Sequence, residues 1–267
     1  NGFWEREIQV RSPDKLTAPD CILKFYIDVN DWLHPSRLRY LDLSSNPSLS
    51  DISGLASNTI LEYLVLYNTN VYDISVLVNK LDLRFLALGY SKVTDISSLV
   101  NCVKLEHLDL VGTRVSDISP LMNNNKLKYL NVGGSEVKDI SGLAGNRSLT
   151  ELHIYYTKIS GISSLANNTT LTDMNMANSK VDDISALKNN RALIRLNLTG
   201  TNVTDISALA DKPYLTHLHL NKTSVSNIES LHMNVSLLYL DIHNTHVSDI
   251  SVLQSAEALV LLYASGT

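Results

Sequence analysis

Apolar residues recur along most of the chain in one fixed pattern, which the segment from Leu61 to Leu77 shows most clearly. The segment reads Leu-x-x-Leu-x-Leu-x-x-Thr-x-Val-x-Asp-Ile-Ser-x-Leu. Its Leu-x-Leu alternation predicts a short β-strand that turns the leucines inward and Tyr63, Val65 and Tyr67 outward. The Asp-Ile-Ser-x-Leu part predicts a short 3₁₀ or α turn on the opposite side, with its isoleucine and leucine in the core.

The same pattern returns every 22 residues without an insertion. Asp-Ile-Ser begins at Asp51, Asp73, Asp95, Asp117, Asp139, Asp183, Asp205 and Asp249, and Gly161 and Asn227 replace the aspartate at the two remaining places. Successive strands of such units stack in parallel, about 4.8 Å apart, with six inward residues in each coil. One coil buries too little apolar surface to fold alone, so the array must be stabilised by contacts between neighbours.

This repeat resembles the leucine-rich repeats, and its length and Asp-Ile-x-x-Leu segment are similar to those of the internalins and of trypanosomatid and other protist proteins. The resemblance implies an α/β solenoid, a horseshoe or arc with a parallel β-sheet on the concave face and short turns on the convex face. We expect an N-terminal cap over residues 1–37, which contain Trp4, Trp32 and a strand-like segment over 22–29. Residues 38–267 then form about ten repeats and a partial eleventh, which has no C-terminal cap in this sequence.

Three polar columns accompany the leucines. The family's asparagine position is kept only at Asn46, and we expect a ladder of hydroxyl groups in its place, at Thr69, Ser91, Thr113, Ser135, Thr157, Ser179, Thr201, Thr223, Thr245 and Thr267. The aspartates of Asp-Ile-Ser are expected to cap their own turns, although a calcium-binding stack is an alternative. A third column holds Asn58, Asn124, Asn146, Asn168, Asn190 and Asn234, where a left-handed residue would end each turn.

Composition limits the possible functions. The chain is 44% hydrophobic and 18% charged, with a formal net charge of −5 and no run of five like charges, which argues against nucleic-acid binding. The sequence contains no apolar stretch of about 18 residues that could be inserted in a membrane. Its cysteines, Cys21 and Cys102, are too few for a disulfide scaffold or a four-cysteine zinc site. Without a visible export signal, an intracellular location is slightly favoured over the cell surface.

The outward strand positions vary between repeats, and they form the candidate partner-binding surface. Aromatic side chains dominate the earlier repeats, and charged residues and histidines dominate the later ones. The candidate residues are Tyr63, Tyr67, Phe85, Tyr90, His107, Tyr129, Glu151, His153, Tyr155, Asp173, Arg195, His217, His219, Asp241 and His243. The aromatic residues could anchor a protein interface or simply support one another across the strands. The late histidines form a solvated polar patch or, alternatively, share a metal ion or a pH-sensitive contact.

No phosphate loop, nucleophile elbow, His-Glu-x-x-His or Cys-x-x-Cys motif occurs. We therefore expect a non-catalytic module without a cofactor or metal, which binds another protein on its concave face as an adaptor or scaffold. Its oligomeric state is open. Two alternatives remain, an internalin-like extracellular adhesin or receptor ectodomain, and the regulatory arm of an enzyme whose catalytic domain lies outside these residues.

Overall fold

The computed structural model describes residues 5–8, 23–26 and 37–267. Two strands, β1 (Glu5–Ile8) and β2 (Leu23–Tyr26), pair in antiparallel fashion. The second of them lies inside the segment that the sequence marks as strand-like. The rest of the predicted cap, including Trp4 and Trp32, lies outside the described residues, so the cap stays a prediction.

Eleven further strands form one open parallel sheet in which sequence order and spatial order are the same. Each strand is three residues long and pairs in register with the equivalent residues of the next repeat. The strands are β3 (Tyr40–Asp42), β4 (Tyr63–Val65), β5 (Phe85–Ala87), β6 (His107–Asp109), β7 (Tyr129–Asn131), β8 (Glu151–His153), β9 (Asp173–Asn175), β10 (Arg195–Asn197), β11 (His217–His219), β12 (Tyr239–Asp241) and β13 (Leu261–Tyr263).

A short 3₁₀ helix lies opposite each strand from β3 to β12, and the described residues contain no α-helix. The helices span Ser53–Leu55, Ser75–Leu77, Ser97–Asn101, Ser119–Asn123, Ser141–Leu143, Ser163–Leu165, Ser185–Leu187, Ser207–Leu209, Glu229–Met233 and Ser251–Ser255. The architecture confirms the predicted leucine-rich repeat solenoid. Within the described residues, no helix is long and apolar enough to span a bilayer.

The core runs along the array between the sheet and the 3₁₀ helices. In the repeat that contains β4, all six predicted inward side chains are 0–1% exposed. They are Leu61, Leu64, Leu66, Val71, Ile74 and Leu77. Leucine side chains from consecutive repeats contact one another in a single continuous cluster, so each coil is stabilised mainly by burial against its neighbours.

The aspartates cap the 3₁₀ helices, as predicted. In each Asp-Ile-Ser triplet the serine backbone N–H donates to the aspartate Oδ1 at 2.7–2.8 Å. At the variant site the Glu229 N–H donates to Asn227 Oδ1 in the same way, at 2.7 Å. In Asp139 both carboxylate oxygens accept hydrogen bonds from Ser141. The geometry supports capping, which an amide performs as well as a carboxylate, and gives no support to a calcium stack.

The predicted hydroxyl ladder between repeats is wrong. Each threonine of this column donates to a carbonyl three residues earlier in its own coil, as Thr69 does to Leu66 O at 2.7 Å and Thr157 to Ile154 O at 2.6 Å. Asn46 likewise donates to Leu43 O at 2.9 Å. These side chains close the turn after the strand, because their short hydroxyl groups reach only the local backbone.

The prediction of left-handed residues in the other asparagine column is also wrong. The left-handed residues instead follow the strands, at Ser45, Asn68, Tyr90, Gly112, Gly134, Tyr156, Asn178, Gly200, Lys222, Asn244 and Gly266, with Asp211 as an isolated further case. The asparagine column is buried and forms the bonds between coils. Asn146 Nδ2 donates to Asn124 O at 3.1 Å and Leu127 O at 3.0 Å, while its Oδ1 accepts from the backbone N–H groups of Ser148 and Leu149.

Lys80, Cys102 and Lys212 occupy this column in three repeats and are also buried. Lys80 Nζ donates to Leu55 O at 2.8 Å, and Lys212 Nζ donates to Lys188 O at 3.0 Å. The long lysine side chains thus replace the asparagine amide as donors to the preceding coil. Burial lowers the pKa of both lysines.

Candidate binding surface on the sheet

We call the outward side of the parallel sheet the sheet face. Its first column holds the first residue of each strand, its second column the last residue, and its third column the residue two positions beyond the strand. Because the strands are in register, side chains of one column are neighbours across the sheet.

The first-column aromatic rings form a continuous stack. Ring centroids are 4.0 Å apart for Tyr63 and Phe85, 4.1 Å for Phe85 and His107, and 4.0 Å for His107 and Tyr129, with interplanar angles of 5–12°. Tyr40 extends the stack at 5.9 Å from Tyr63. The faces of the inner rings are therefore covered by their neighbours, and mainly ring edges face outward. The interpretation as mutual support across the strands fits this column.

Burial in the stack shifts two ionisable groups. Desolvation lowers the pKa of His107 to about 4, so the imidazole is neutral at physiological pH. Desolvation first, followed by the negative charge of Asp109, raises the pKa of Tyr129 to about 12. Both shifts favour the uncharged ring, which is the form that stacks without losing a hydration shell.

A ladder of alternating charge, which was not predicted from the sequence, borders the aromatic stack. Arg39 pairs with Glu62, and Glu106 accepts from both Arg84 at 2.9 Å and Lys128 at 2.7 Å. These residues stand immediately before the first column, where the sign alternates from repeat to repeat. That alternation at a 22-residue period is the signal that would have revealed it. Three residues of the ladder, Arg84, Glu106 and Lys128, line a shallow depression of about 570 Å³. Its other lining residues are Phe85, His107, Tyr129, Thr150 and Glu151.

Four tyrosines form a second aromatic group, the tyrosine cluster, at the third column and the position after it. Tyr67 and Tyr90 meet edge to face with centroids 5.4 Å apart, and Tyr155 and Tyr156 do so at 6.1 Å. Tyr67, Tyr90 and Tyr156 are 38%, 52% and 67% exposed. This cluster, unlike the first-column stack, presents large apolar surfaces to solvent.

Two members of the tyrosine cluster have left-handed backbones, with φ of 57° at Tyr90 and 52° at Tyr156. The same column elsewhere contains mainly glycine and asparagine, which tolerate this conformation. A bulky side chain there carries backbone strain of about 1 kcal/mol or more. Strain of this kind, at exposed residues that add nothing to the core, is typical of functional positions.

The middle of the sheet face contains one ion pair and one close contact between a histidine and a carboxylate. Arg195 pairs with Asp173 across neighbouring strands. His153 Nε2 lies 4.0 Å from Glu151 Oε2. The sequence predicted this charged region but not its contacts. The pairing of Arg195 with Asp173 depends on the register of neighbouring strands, whereas Glu151 and His153 lie on the same strand.

The histidine-rich end brings several predicted residues together. His243 Nδ1 hydrogen-bonds to the buried Asp241 carboxylate, and the His217 and His219 rings lie 5.8 and 4.7 Å from Tyr239. Burial, more than any charge, lowers the pKa of His219. In the part of the chain that the structure describes, no three His, Cys, Asp or Glu side chains are placed to hold one metal ion. The geometry therefore gives no support to the shared-metal interpretation.

Comparisons with known proteins agree with this architecture. A family model described as leucine-rich repeats in two copies matches residues 103–145. The crystal structure of the internalin InlF from Listeria monocytogenes is 31% identical, with a TM-score of 0.74, and the match covers 87% of this chain and 75% of that one. A search of curated proteins by sequence gives no match.

Two further structures share the fold at lower identity. The functional domain of InlJ from Listeria monocytogenes is 24% identical with a TM-score of 0.74, and the match covers 87% of this chain and 54% of that one. The ectodomain of the Arabidopsis thaliana receptor kinase GASSHO1/SCHENGEN3, in complex with CASPARIAN STRIP INTEGRITY FACTOR 2, is 21% identical with a TM-score of 0.75. That match covers 86% of this chain and 30% of the receptor.

The fold and the repeat define a leucine-rich repeat protein, a class of protein–protein interaction module that is typically non-catalytic. Within that class, the likeness to InlF over most of both chains decides the family. The chain belongs to the internalin-like leucine-rich repeat proteins.

Proposed function

We propose that this chain binds a protein partner on its sheet face and acts as a non-catalytic adaptor or scaffold in a larger assembly. The observation that carries the proposal is the tyrosine cluster, in which exposed rings stand on a rigid sheet and two of them occupy left-handed backbone positions. Large amphipathic rings of limited flexibility are the side chains that contribute most at protein interfaces.

The other predicted residues have different parts in this proposal. The first-column rings form a rigid base whose edges border the depression beside the charge ladder. The ion pair of Arg195 and Asp173 and the pair of His243 and Asp241 lie farther along the sheet. They would contribute to orientation and specificity more than to affinity, because each carboxylate already has a partner within the fold and charged groups at an interface give specificity more than affinity.

Capture of the partner tests the proposal. The triple variant Tyr67→Ala, Tyr90→Asn and Tyr156→Asn removes the exposed rings and places asparagine at the left-handed positions, as the chain itself does at Asn68 and Asn178. We expect it to lose most partner capture from native extract, while its unfolding midpoint stays at or above that of the wild type, because asparagine relieves the strain at the two left-handed positions. The control variant Tyr72→Ala with Tyr214→Ala removes two tyrosines that are 65% and 64% exposed and lie outside the cluster. Equal capture by the triple variant and the wild type would refute a role for this part of the sheet face.

An inward substitution separates binding from folding. Leu130 is fully buried between the sheet and the turns, so Leu130→Asp should unfold the array, because an unpaired charge cannot be accommodated in the core. If the tyrosine triple variant loses capture but stays folded, unlike Leu130→Asp, the loss of capture is due to the binding surface and not to unfolding.

An extracellular adhesin or receptor ectodomain is the second candidate function. The likeness to InlF favours it. Glycans on Asn197 or Asn202 in protein from the native source would support it. The third alternative, the regulatory arm of an enzyme, is decided by the full-length gene.

A further inference from the structure

The three half-buried or exposed tyrosine rings of the cluster lean toward one place on the sheet face. A Cβ atom at Gly89 would lie 2.9 Å from the Tyr67 ring, and one at Gly112 would lie 2.6 Å from the Tyr90 ring. On the other side, a Cβ at Gly133 would lie 2.4 Å from the Tyr155 ring. The rings of Tyr67 and Tyr90 thus lie over the next coil, and that of Tyr155 lies over the preceding one. The Tyr67 ring therefore lies over the coil of β5, the Tyr90 ring over that of β6 and the Tyr155 ring over that of β7, so the three rings lean toward the coil of β6 from its two sides.

The floor between these rings is open. A Cβ atom at Gly134 would meet nothing closer than the Gly112 backbone at 3.9 Å. Gly112 and Gly134 are adjacent members of the left-handed column. Gly134 is exposed and adds no side chain beside the Tyr90 ring, which lies over Gly112, and the Tyr155 ring, which lies over Gly133. A flat or slender side chain of a partner would fit there.

A carboxylate stands beside this space. Asp109 is the second-column residue of β6, and it lies close enough to Tyr67 and Tyr129 to raise the pKa of both phenols, after the larger contribution of burial. Its Oδ1 accepts from the Val111 N–H at 2.9 Å. Among the described residues, no lysine or arginine pairs with it.

The backbone bond of Asp109 does not require a carboxylate. Its backbone bond is repeated by neutral amides in the same column, since Asn131 Oδ1 accepts from Gly133 N–H at 2.9 Å and Asn197 Oδ1 from Thr199 N–H at 2.9 Å. Burial raises the pKa of Asp109, which means that its ionised form is disfavoured where it stands. An asparagine could therefore make the same backbone bond. Inside the fold the charge of Asp109 is favoured by His153, but by less than burial disfavours it, so the carboxylate would gain from a cation supplied by a partner.

The charge of the surrounding surface points to a cation. The outward positions on β4 to β8 and the third-column residues that follow them include no lysine or arginine, and two of them are acidic, Asp109 and Glu151. Tyrosine rings attract a cation over their faces, and a guanidinium group both stacks on such rings and pairs with a carboxylate. Arginine combines these properties better than lysine, because its planar group fits between rings.

We propose that Tyr67, Tyr90 and Tyr155, with Asp109 beside them and Gly134 as the floor, form a site for an arginine side chain of an extended partner segment. The inference rests on the proposed function, because it names an arginine side chain as the group of the protein partner that this part of the sheet face binds. The arginine side chain lies between the rings and its guanidinium pairs with the carboxylate of Asp109.

The test uses the full chain labelled with 3-fluorotyrosine and the peptide Ser-Arg-Ser-Arg-Ser-Arg-Ser, acetylated and amidated, at physiological salt. We expect saturable ¹⁹F shifts at Tyr67, Tyr90 and Tyr155, and unchanged signals at Tyr72 and Tyr214. The same peptide with citrulline in place of arginine keeps the shape but removes the charge. It should bind at least about fivefold more weakly, since a cation–π contact with a paired charge contributes about 1 kcal/mol or more.

Two matched substitutions locate the site. Asp109→Asn should weaken arginine-peptide binding at least about fivefold. Asp42→Asn removes the same charge from the same column, where Asp42 Oδ1 also accepts a backbone N–H two residues on, and should leave binding unchanged. Gly134→Asn places a residue that tolerates the left-handed backbone on the floor of the site and should also block binding. Equal losses in Asp109→Asn and Asp42→Asn, or equal binding of the citrulline peptide, would overturn the proposal.

The result is distinguishable from failure of the proposed function. If the tyrosine triple variant loses its partner but the arginine and citrulline peptides bind alike, the sheet face binds proteins without an arginine site. If the peptides bind as expected while partner capture is independent of the tyrosines, the arginine site stands and the proposed function fails.

Discussion

Asn146 offers a direct test of what holds the coils together. Its side chain is 5% exposed and takes part in four hydrogen bonds. It donates two to carbonyls of the preceding coil and accepts two from the backbone amides of Ser148 and Leu149 in its own coil. Asn146→Ala removes all four bonds; the Leu127 carbonyl and the Ser148 and Leu149 amides lose their partner, while Asn124 O keeps the bond from the Leu127 N–H. At about 1 kcal/mol for each bond, we expect the free energy of unfolding to fall by about 4 kcal/mol.

Asn146→Gly separates the two explanations of this column. If the asparagine were needed for a left-handed backbone, glycine would be neutral or stabilising, because it adopts that conformation without strain. If the side chain bridges the coils, glycine should destabilise at least as much as alanine. Tertiary geometry favours the second outcome, since Asn146 is absent from the left-handed residues of the described chain.

Equilibrium urea unfolding followed by far-UV circular dichroism measures the effect. Asn167→Ala is the control, because Asn167 is exposed and directly precedes Asn168, the buried equivalent of Asn146 in the next repeat. Its unfolding midpoint should match that of the wild type. A loss below about 1 kcal/mol in Asn146→Ala, or a gain in Asn146→Gly, would refute the assignment of this column as the bridge between coils.

Three further predictions follow from the buried and capping groups. His107→Phe keeps the stack but removes a group whose folded pKa is about 4. Because the unfolded histidine binds protons more tightly, wild-type stability should fall as pH drops from about 6.5 to about 4, and urea midpoints of the variant should show a smaller fall. Asp139→Ala removes a cap and should cost about 0.5–2 kcal/mol, whereas Asp139→Asn should cost less, as Asn227 caps its own turn; equal losses would contradict capping. Burial raises the pKa of the Cys102 thiol to about 11. Iodoacetamide should therefore modify Cys102 only after denaturation, and peptide mass spectrometry that finds Cys102 labelled in the native chain would contradict its burial.

Much of the fold can be predicted from the sequence because every repeat places equivalent residues in the same environment. A leucine that recurs at Leu64, Leu86 and Leu108 in the same frame occupies the same inward position each time, and all three are fully buried. The same redundancy identified the aspartate caps, whose bonds reach only two residues along the chain. Interactions that are local and periodic can be recognised without knowing where other coils lie.

The two polar columns were misassigned because the same residue types serve local and distant partners. The threonine hydroxyl bonds stay within one coil, whereas the amide of Asn146 reaches carbonyls 22 and 19 residues earlier. Only the position of the neighbouring coil decides which backbone groups lack partners. The burial of Lys80 and Cys102 in the asparagine column likewise does not follow from the sequence alone.

The sequence alone determined the class of fold, the period, the inward residues and the set of outward positions that vary. The three-dimensional structure decided what those outward residues do. In the structure, Tyr63, Phe85 and His107 stack so that their faces are covered. Tyr67, Tyr90 and Tyr155 lie over glycines of adjacent coils. The physical reason is that the periodic burial of leucines is set by each repeat, whereas ring orientation and the surroundings of Asp109 depend on side chains from several coils at once.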